Sequence, residues 1–287
     1  MKRISPLTLA ALAPLSWGTS YLVLGQLHPL GPVTVATLRA LLAGVLLLAV
    51  VRQLPRGAWW WKSALLGGLN FGLFFAMLFV SASRLSGGVA ATLGAVGPLL
   101  IIAFNLLALH RRPSRHTLGA ALLGLAGVAL LVLGPAARLD TWGVVAGLVS
   151  VVAASGGYLL SSAYGTPPGT SMLAVTAWQL TWGGMMLVPV ALLAEGVPAL
   201  PAGFQWPLLA YMVVITTALA YALWFRGIQH SSPVQVSLLT RLSPATAIVI
   251  DLLLGHTLSA VQWSGLALIA LSFLPERPTR PTGVAVS

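Results

Sequence analysis

Three ionisable side chains, Arg39, Arg241 and Asp251, fall inside long apolar runs. A charge at the centre of a membrane helix costs about 2.5–3.5 kcal/mol on insertion scales, so it must face protein or water and serve a purpose. Arg241 stands three residues before Pro244. A proline removes one helical hydrogen bond and loosens the carbonyls near it. A lone guanidinium beside such a kink suits a substrate carboxylate or phosphate, bound through paired hydrogen bonds. The other arrangement open to it is structural, with the guanidinium bonded to helix carbonyls. Arg39 and Asp251 fall at matching depths and are expected to pair as a latch between the two halves of the chain. The amides Gln179 and Asn105 would form its weaker mirror, and unequal latches bias which face opens at rest. Alternatively Asp251 meets the headgroup region and Arg39 snorkels toward it.

Aromatic and amide side chains supply the remainder of a candidate binding site. Trp17, Tyr21, Phe75, Tyr158, Trp178, Trp182, Tyr221 and Trp224 lie within apolar runs, and Asn70 and Gln179 are interior amides. Aromatic walls receive apolar or amphipathic ligands, and their faces attract cations. Trp59, Trp60, Trp61, Trp142, Trp206 and Trp263 fall at run ends and read instead as an interfacial belt. His110 and His256 also lie at run ends, where water keeps a histidine ordinary unless it senses protons. No His/Asp/Glu grouping has metal-ligand spacing and there is no cysteine, so neither a metal site nor a cofactor is expected.

The elements that must hold these residues follow from composition. Of 287 residues 58% are hydrophobic and 7% charged, with a mean hydropathy of +0.95. A soluble domain carries about a quarter charged residues, so a cytosolic enzyme, a nucleic-acid-binding domain and a disordered chain are excluded. Runs of about 20 apolar residues, each enough to cross a bilayer, occur near 7–27, 33–51, 63–82, 88–109, 117–134, 142–163, 171–193, 206–226, 234–254 and 259–275. None alternates as a barrel strand would. The expected fold is an all-α membrane protein of ten transmembrane helices, the first of them retained rather than cleaved as a signal.

The 15 Lys and Arg against 4 Asp and Glu, a net charge of +11, fit this topology. With the N-terminus inside, the outer side receives only Arg84 and Arg138, and Arg39 and Arg241 lie within helices. All the others are cytoplasmic, so both termini are cytoplasmic and no nucleic-acid partner is needed.

The sequence also repeats itself. An offset of 146 runs without a gap from about Leu65 to Leu125, pairing Phe75 with Tyr221, Phe79 with Phe225, Ser86 with Ser232, Pro98 with Pro244, His110 with His256 and Gly119 with Gly265. Toward the front of each half the offset shortens to 140, aligning Gly44 with Gly184 and Arg39 with Gln179. It then shortens to 137, aligning Tyr21 with Tyr158. Five helices per unit is an odd number, so the second unit is inverted relative to the first, a transporter plan with substrate bound between the halves. The units are placed at 1–137 and 138–275, with a cytoplasmic tail at 276–287.

Nearly the whole chain resembles the drug/metabolite transporter superfamily in its ten-helix EamA-type branch. The resemblance rests on Trp17-Gly18, Arg39, and the twofold pattern of Pro98, His110, Gly119 and Gly127 against Pro244, Gly255-His256 and Gly265. The family commonly has Glu where His110 and His256 stand. The resemblance implies export of small metabolites, amino acids or amphipathic drugs without ATP, and no P-loop pattern is present. The expected function is a secondary exporter of small amphipathic metabolites in the bacterial inner membrane, working by alternating access. Pro98 and Pro244 would give its gates compliance. Its partners are the lipid bilayer and a small solute bearing a carboxylate or an aromatic group, and the chain is read as a monomer. Organic-cation efflux is the alternative, ahead of an intramembrane enzyme or a channel.

Overall fold

The structure is a computed structural model describing residues 5–27, 29–85, 93–109, 113–132, 140–198, 203, 205–255 and 257–274. The described residues form helices and no strand. In chain order these are α1 (Pro6–Ala10), α2 (Leu12–Gly25), α3 (Pro32–Val51), α4 (Trp59–Gly67), a π-helix π1 (Gly68–Leu73), and α5 (Phe74–Arg84). Next come α6 (Gly97–Leu109), α7 (Arg115–Val132), α8 (Thr141–Tyr164), α9 (Met172–Glu195) and α10 (Gln205–Val213). The chain continues with π2 (Val214–Leu219), α11 (Ala220–His230), α12 (Pro233–Ser237), a 3₁₀ turn (Leu238–Arg241), α13 (Leu242–Leu253) and α14 (Ala260–Leu271).

Among the described residues, six helical stretches are long and apolar enough to cross a membrane: Pro32–Val51, Trp59–Ser81, Thr141–Tyr164, Met172–Glu195, Gln205–His230 and Pro233–Ile250. Gly97–Leu107, Arg115–Leu130 and Ala260–Leu271 are shorter apolar helices. The first apolar run divides into α1 and α2 at Ala11. Pro14 accounts for the break, because its ring crowds the carbonyl four residues back, at Ala10, where α1 ends. Helix starts follow the local chemistry. Ser5, Asp140, Ser171, Ser232 and Ser259 each accept a first-turn N–H, and Pro6, Pro32 and Pro233 occupy first positions where no N–H is needed.

The internal periodicity of the sequence reappears in the element bounds. Helices α4, π1 and α5 recur residue for residue, 146 positions later, as α10, π2 and α11. At an offset of 140, the start of α3 at Pro32 corresponds to the start of α9 at Met172. A π-turn is rare and locally strained, so two at equivalent positions are hard to ascribe to chance.

Helices α3 and α9 lie antiparallel with their backbones touching. A Cβ on Gly44 would come within 2.5 Å of the Thr181 nitrogen, and one on Gly184 within 2.5 Å of the Leu41 nitrogen. Thr181 and Leu41 are themselves 140 apart, as are the two glycines, so the contact has the self-complementary form of a twofold interface. Elsewhere Gly18 of α2 meets Ser243 O and Thr246 of α13. The corresponding residues on α8 and α6 also meet, Ser155 Oγ reaching Gly97 O at 3.5 Å. Gly127 of α7 lies against Gly265 O and Ile269 of α14. In lipid, such small-residue contacts replace the hydrophobic force that packs helices in water.

Gly44→Val and Gly184→Val are each expected to destabilise the protein by about 1–3 kcal/mol through enforced backbone separation. Gly119→Ala, whose added methyl meets open space, should be close to neutral. Thermal unfolding of the detergent-purified variants checks both statements.

Candidate functional site

The two π-turns re-route the hydrogen-bond ladder at equivalent residues. In a regular α-helix Ala220 N–H would take the Thr216 carbonyl; here it goes to the Ile215 and Thr217 carbonyls. Likewise Phe74 N–H, due to the Asn70 carbonyl, goes to that of Phe71. Asn70 and Thr216 are 146 apart. The Thr216 carbonyl is taken up from outside its helix, accepting the Trp17 indole N–H at 3.0 Å and Arg39 Nη2 at 3.0 Å. Arg39 Nε donates to Thr217 Oγ1 at 2.8 Å, and the guanidinium carbon lies 5.8 Å from the Phe75 ring centroid. The half-buried Arg39 of α3 thus ties the first half of the chain to π2 in the second.

The mirror of this crossing is present with different chemistry. Gln179, the counterpart of Arg39, meets Asn70, the counterpart of Thr216. Asn70 Nδ2 donates to Gln179 Oε1 at 2.7 Å and to Ser161 Oγ at 3.3 Å. Both amides are buried, and Gly157 makes room, since a Cβ there would collide with Asn70 Oδ1. Arg39 and Gln179 are each the eighth residue of their antiparallel helices, so the two crossings stand on either side of the middle of the α3–α9 pair.

Aromatic rings from both halves fill the space beside the crossings. Trp17 packs on Tyr221 and Trp224 at centroid distances of 5.0 and 5.1 Å. Tyr158 meets Trp224 at 5.7 Å, and Phe71 meets Tyr221 edge-on at 4.7 Å. Phe75, Tyr158, Tyr221 and Trp224 are buried. These rings therefore wall the seam by packing against one another, a filled core in this conformation.

Several expectations are revised. Trp178 is apart from this cluster: it packs on Trp59 at 6.1 Å and donates its indole N–H to Gln53 O at 2.6 Å, tying the start of α9 to the end of α3. Gln179 and Asn105 do not pair. Gln179 accepts from Asn70, and Asn105 Nδ2 folds back onto Ile101 O of its own helix at 3.0 Å. Pro98 falls in the first turn of α6, where a missing N–H costs little, whereas Pro244 lies inside the continuous helical stretch Pro233–Ile250, just after its 3₁₀ turn. Arg39 is engaged by Thr216 and Thr217, while the side chains of Asp251 and Tyr21 lie outside the described residues, as do His110 and His256.

Arg241 takes the structural arrangement. Its Nη1 donates to Ala120 O at 2.6 Å and its Nη2 to Ser272 O at 3.2 Å. The guanidinium sits 4.4 Å from the Phe273 ring, and it fits because Gly124 has no Cβ. It clamps the 3₁₀ turn to α7 and to the end of α14, beside a void of about 10 Å³ that Pro98 and Thr240 help line, enough for about one water.

Sequence reasoning passed over Glu195, Thr216, Thr217 and Ser161. Glu195, the last residue of α9, accepts Val33 N–H and Thr34 N–H at 2.8 Å each, capping the start of α3. At the other end Gln53 Oε1 accepts Ser171 N–H at 3.3 Å, so each helix of the pair is capped by the other's far end. Among the described residues no group of three or more His, Cys, Asp or Glu has metal-holding geometry.

The profile of the EamA-like transporter family matches residues 4–133 and, a second time, residues 141–274. The chain belongs to the EamA-like transporter family. It is a multi-pass membrane protein of that family, related to the protein PecM of Dickeya dadantii (strain 3937) with 38% identity over 90% of this chain and 87% of that one. The uncharacterized inner membrane transporter YicL of Salmonella typhimurium (strain LT2) is 27% identical, over 74% of this chain and 70% of its own. A crystal structure superposes with a TM-score of 0.78 over 93% of this chain and 94% of that one, at 18% identity. Likeness at that identity is a likeness of fold. In this EamA-like protein Arg241→Gln is expected to lower stability, by about 1–3 kcal/mol for carbonyls left without donors. A melting temperature equal to that of the unaltered protein would contradict the clamp.

Proposed function

We propose that the chain is a secondary carrier that moves small amphipathic metabolites, amino acids or related compounds, outward across the bacterial inner membrane by alternating access. The observation that carries this reading is the pair of polar crossings. The same contact between repeats occurs twice, on either side of the middle of one antiparallel helix pair, once with Arg39 and once with Gln179. Two five-helix units, inverted with both termini cytoplasmic, would produce this relation, and the doubled family match supports it. The α3–α9 backbone contact acts as the axle, being too close to slide and capped at both ends. Rocking about it opens one crossing as the other closes, with substrate held between the halves. A charged crossing against a neutral one makes the two end states unequal in free energy and sets the resting side.

Relatives named as transporters, one of them an inner membrane transporter, favour carriage over catalysis. Arg39 beside the aromatic wall disfavours organic cations, since a fixed positive charge repels them.

Two measurements test the reading. Purified protein in liposomes should give saturable counterflow of neutral amino acids; flux that rises linearly without saturation would refute a carrier. The chain has no cysteine, so Ala137→Cys provides a unique thiol between the two units. It should react with a membrane-impermeant maleimide on intact cells. Reaction only after permeabilisation would overturn the inverted arrangement.

A further inference from the structure

Among the described residues, five buried side-chain atoms have no hydrogen-bond partner: Asn70 Oδ1, Ser81 Oγ, Gln179 Nε2, Trp224 Nε1 and Arg241 Nε. Three of them border one stretch of α8. Asn70 Oδ1 lies over Gly157, Trp224 packs on Tyr158, and Gln179 is bonded to the amide that also reaches Ser161. Leaving a buried polar group without a partner costs about 1–3 kcal/mol, so each such group in a native fold calls for an explanation. Turning both amides over gives no relief. Their mutual bond is then made by the opposite atoms, and again one donor and one acceptor remain over. The pair is intrinsically unsatisfied whichever way the amides point. At the equivalent crossing the Thr216 carbonyl and the Thr217 hydroxyl both have the Arg39 guanidinium.

We infer that Asn70 and Gln179 form a recognition site for the uncharged amide edge of a solute (a carboxamide, lactam or ureide), an inference that rests on the carrier reading above. When the crossing parts, the solute carbonyl accepts from Gln179 Nε2 and its N–H donates to Asn70 Oδ1, a bidentate match that replaces the single bond between the amides. Phe71, buried in the next position, and Tyr221 against it offer ring faces to the apolar remainder. A carboxylate would turn an oxygen toward Asn70 Oδ1, and an ammonium would leave Gln179 Nε2 without an acceptor. Either ion would also be buried against dipoles alone, which costs more than burying a neutral amide. The site therefore selects by head group.

Nicotinamide, nicotinate and 3-picolylamine share one ring and differ only in that head group. With the purified full chain, nicotinamide should raise the melting temperature as its concentration rises, and the acid and amine should not. Asn70→Leu/Gln179→Leu, which removes the orphaned atoms, should melt no lower than the unaltered protein without ligand. It should lose the nicotinamide response or need at least about tenfold more ligand, the loss expected for one missing hydrogen bond. Should the double variant not fold, Gln179→Met, of similar length and without the donor, must lose the response alone. An equal shift from the amine or the acid, or a shift that survives Gln179→Met, overturns the site. So does a folded double variant that melts well below the unaltered protein, because the amides would then be helix glue. Saturable counterflow with no amide preference removes this site and leaves the carrier; an amide response dependent on Gln179 without saturable flux removes the carrier and leaves the site.

Discussion

In hydrocarbon an apolar side chain gains nothing by leaving lipid for a neighbouring helix, so helices hold together only where backbones touch or where a polar group would otherwise stand alone. Both conditions meet on the α3–α9 pair. Gly44 and Gly184 let the backbones close to contact distance, and each helix then has its exposed first-turn N–H groups within reach of the other's end. Glu195 takes two of them at the start of α3, and at the start of α9 Gln53 takes the N–H of the capping residue Ser171, whose own hydroxyl takes Ala174 N–H. A carboxylate at a helix N-terminus is favoured by the dipole as well as by the hydrogen bonds. The stiffness of this pair is what allows the remaining helices to be arranged around a fixed axis.

The π-turns follow from the same constraint. A regular helix has no main-chain acceptor to spare in its middle, so a membrane protein that needs one must disturb the ladder. In π2 the disturbance leaves the Thr216 carbonyl available to Trp17 and Arg39 at once. Arg39 is thereby held by a backbone atom and the Thr217 hydroxyl, a neutral cradle for a charge that would otherwise be expelled toward the surface. In π1 the polar partners are side chains instead, Asn70 with Gln179. One geometry therefore carries a charged tie in one half and a neutral, incompletely satisfied one in the other.

Much of this was legible in the residues. The helical class, the apolar runs and the 146-residue offset followed from composition and from pairs such as Pro98/Pro244, and the bounds of α4 to α5 against α10 to α11 keep that offset without slippage. The importance of Arg39, Asn70 and Gln179 was visible because polar groups are scarce in such a chain. Their partners were not. Hydrophobic periodicity cannot register a π-turn, which adds one residue without changing the character of the run, so Thr216 read as an ordinary helix threonine. Pairing Gln179 with Asn105 by depth ignored direction: Asn105 is bonded down its own helix and Gln179 is turned to π1. Arg241 looked like a ligand group because it is a lone charge in an apolar run with a proline three residues on. The carbonyls that bind it, Ala120 and Ser272, come from distant helices and carry no side-chain signature.

The difference between the repeats argues that duplication was followed by division of labour. Two identical units would have identical crossings, and the two faces of a carrier would then be closed with equal strength. An arginine in one member of the pair strengthens that contact, because a hydrogen bond from a charged donor is worth roughly twice a neutral one. Retaining amides at the other leaves a neutral contact with one donor and one acceptor unmatched. The charged crossing has its polar atoms matched within the fold, whereas the neutral one keeps a buried donor and a buried acceptor that are not. That asymmetry, rather than the aromatic core the halves share, is where a direction of transport and a choice of substrate would enter a molecule whose architecture is otherwise symmetric.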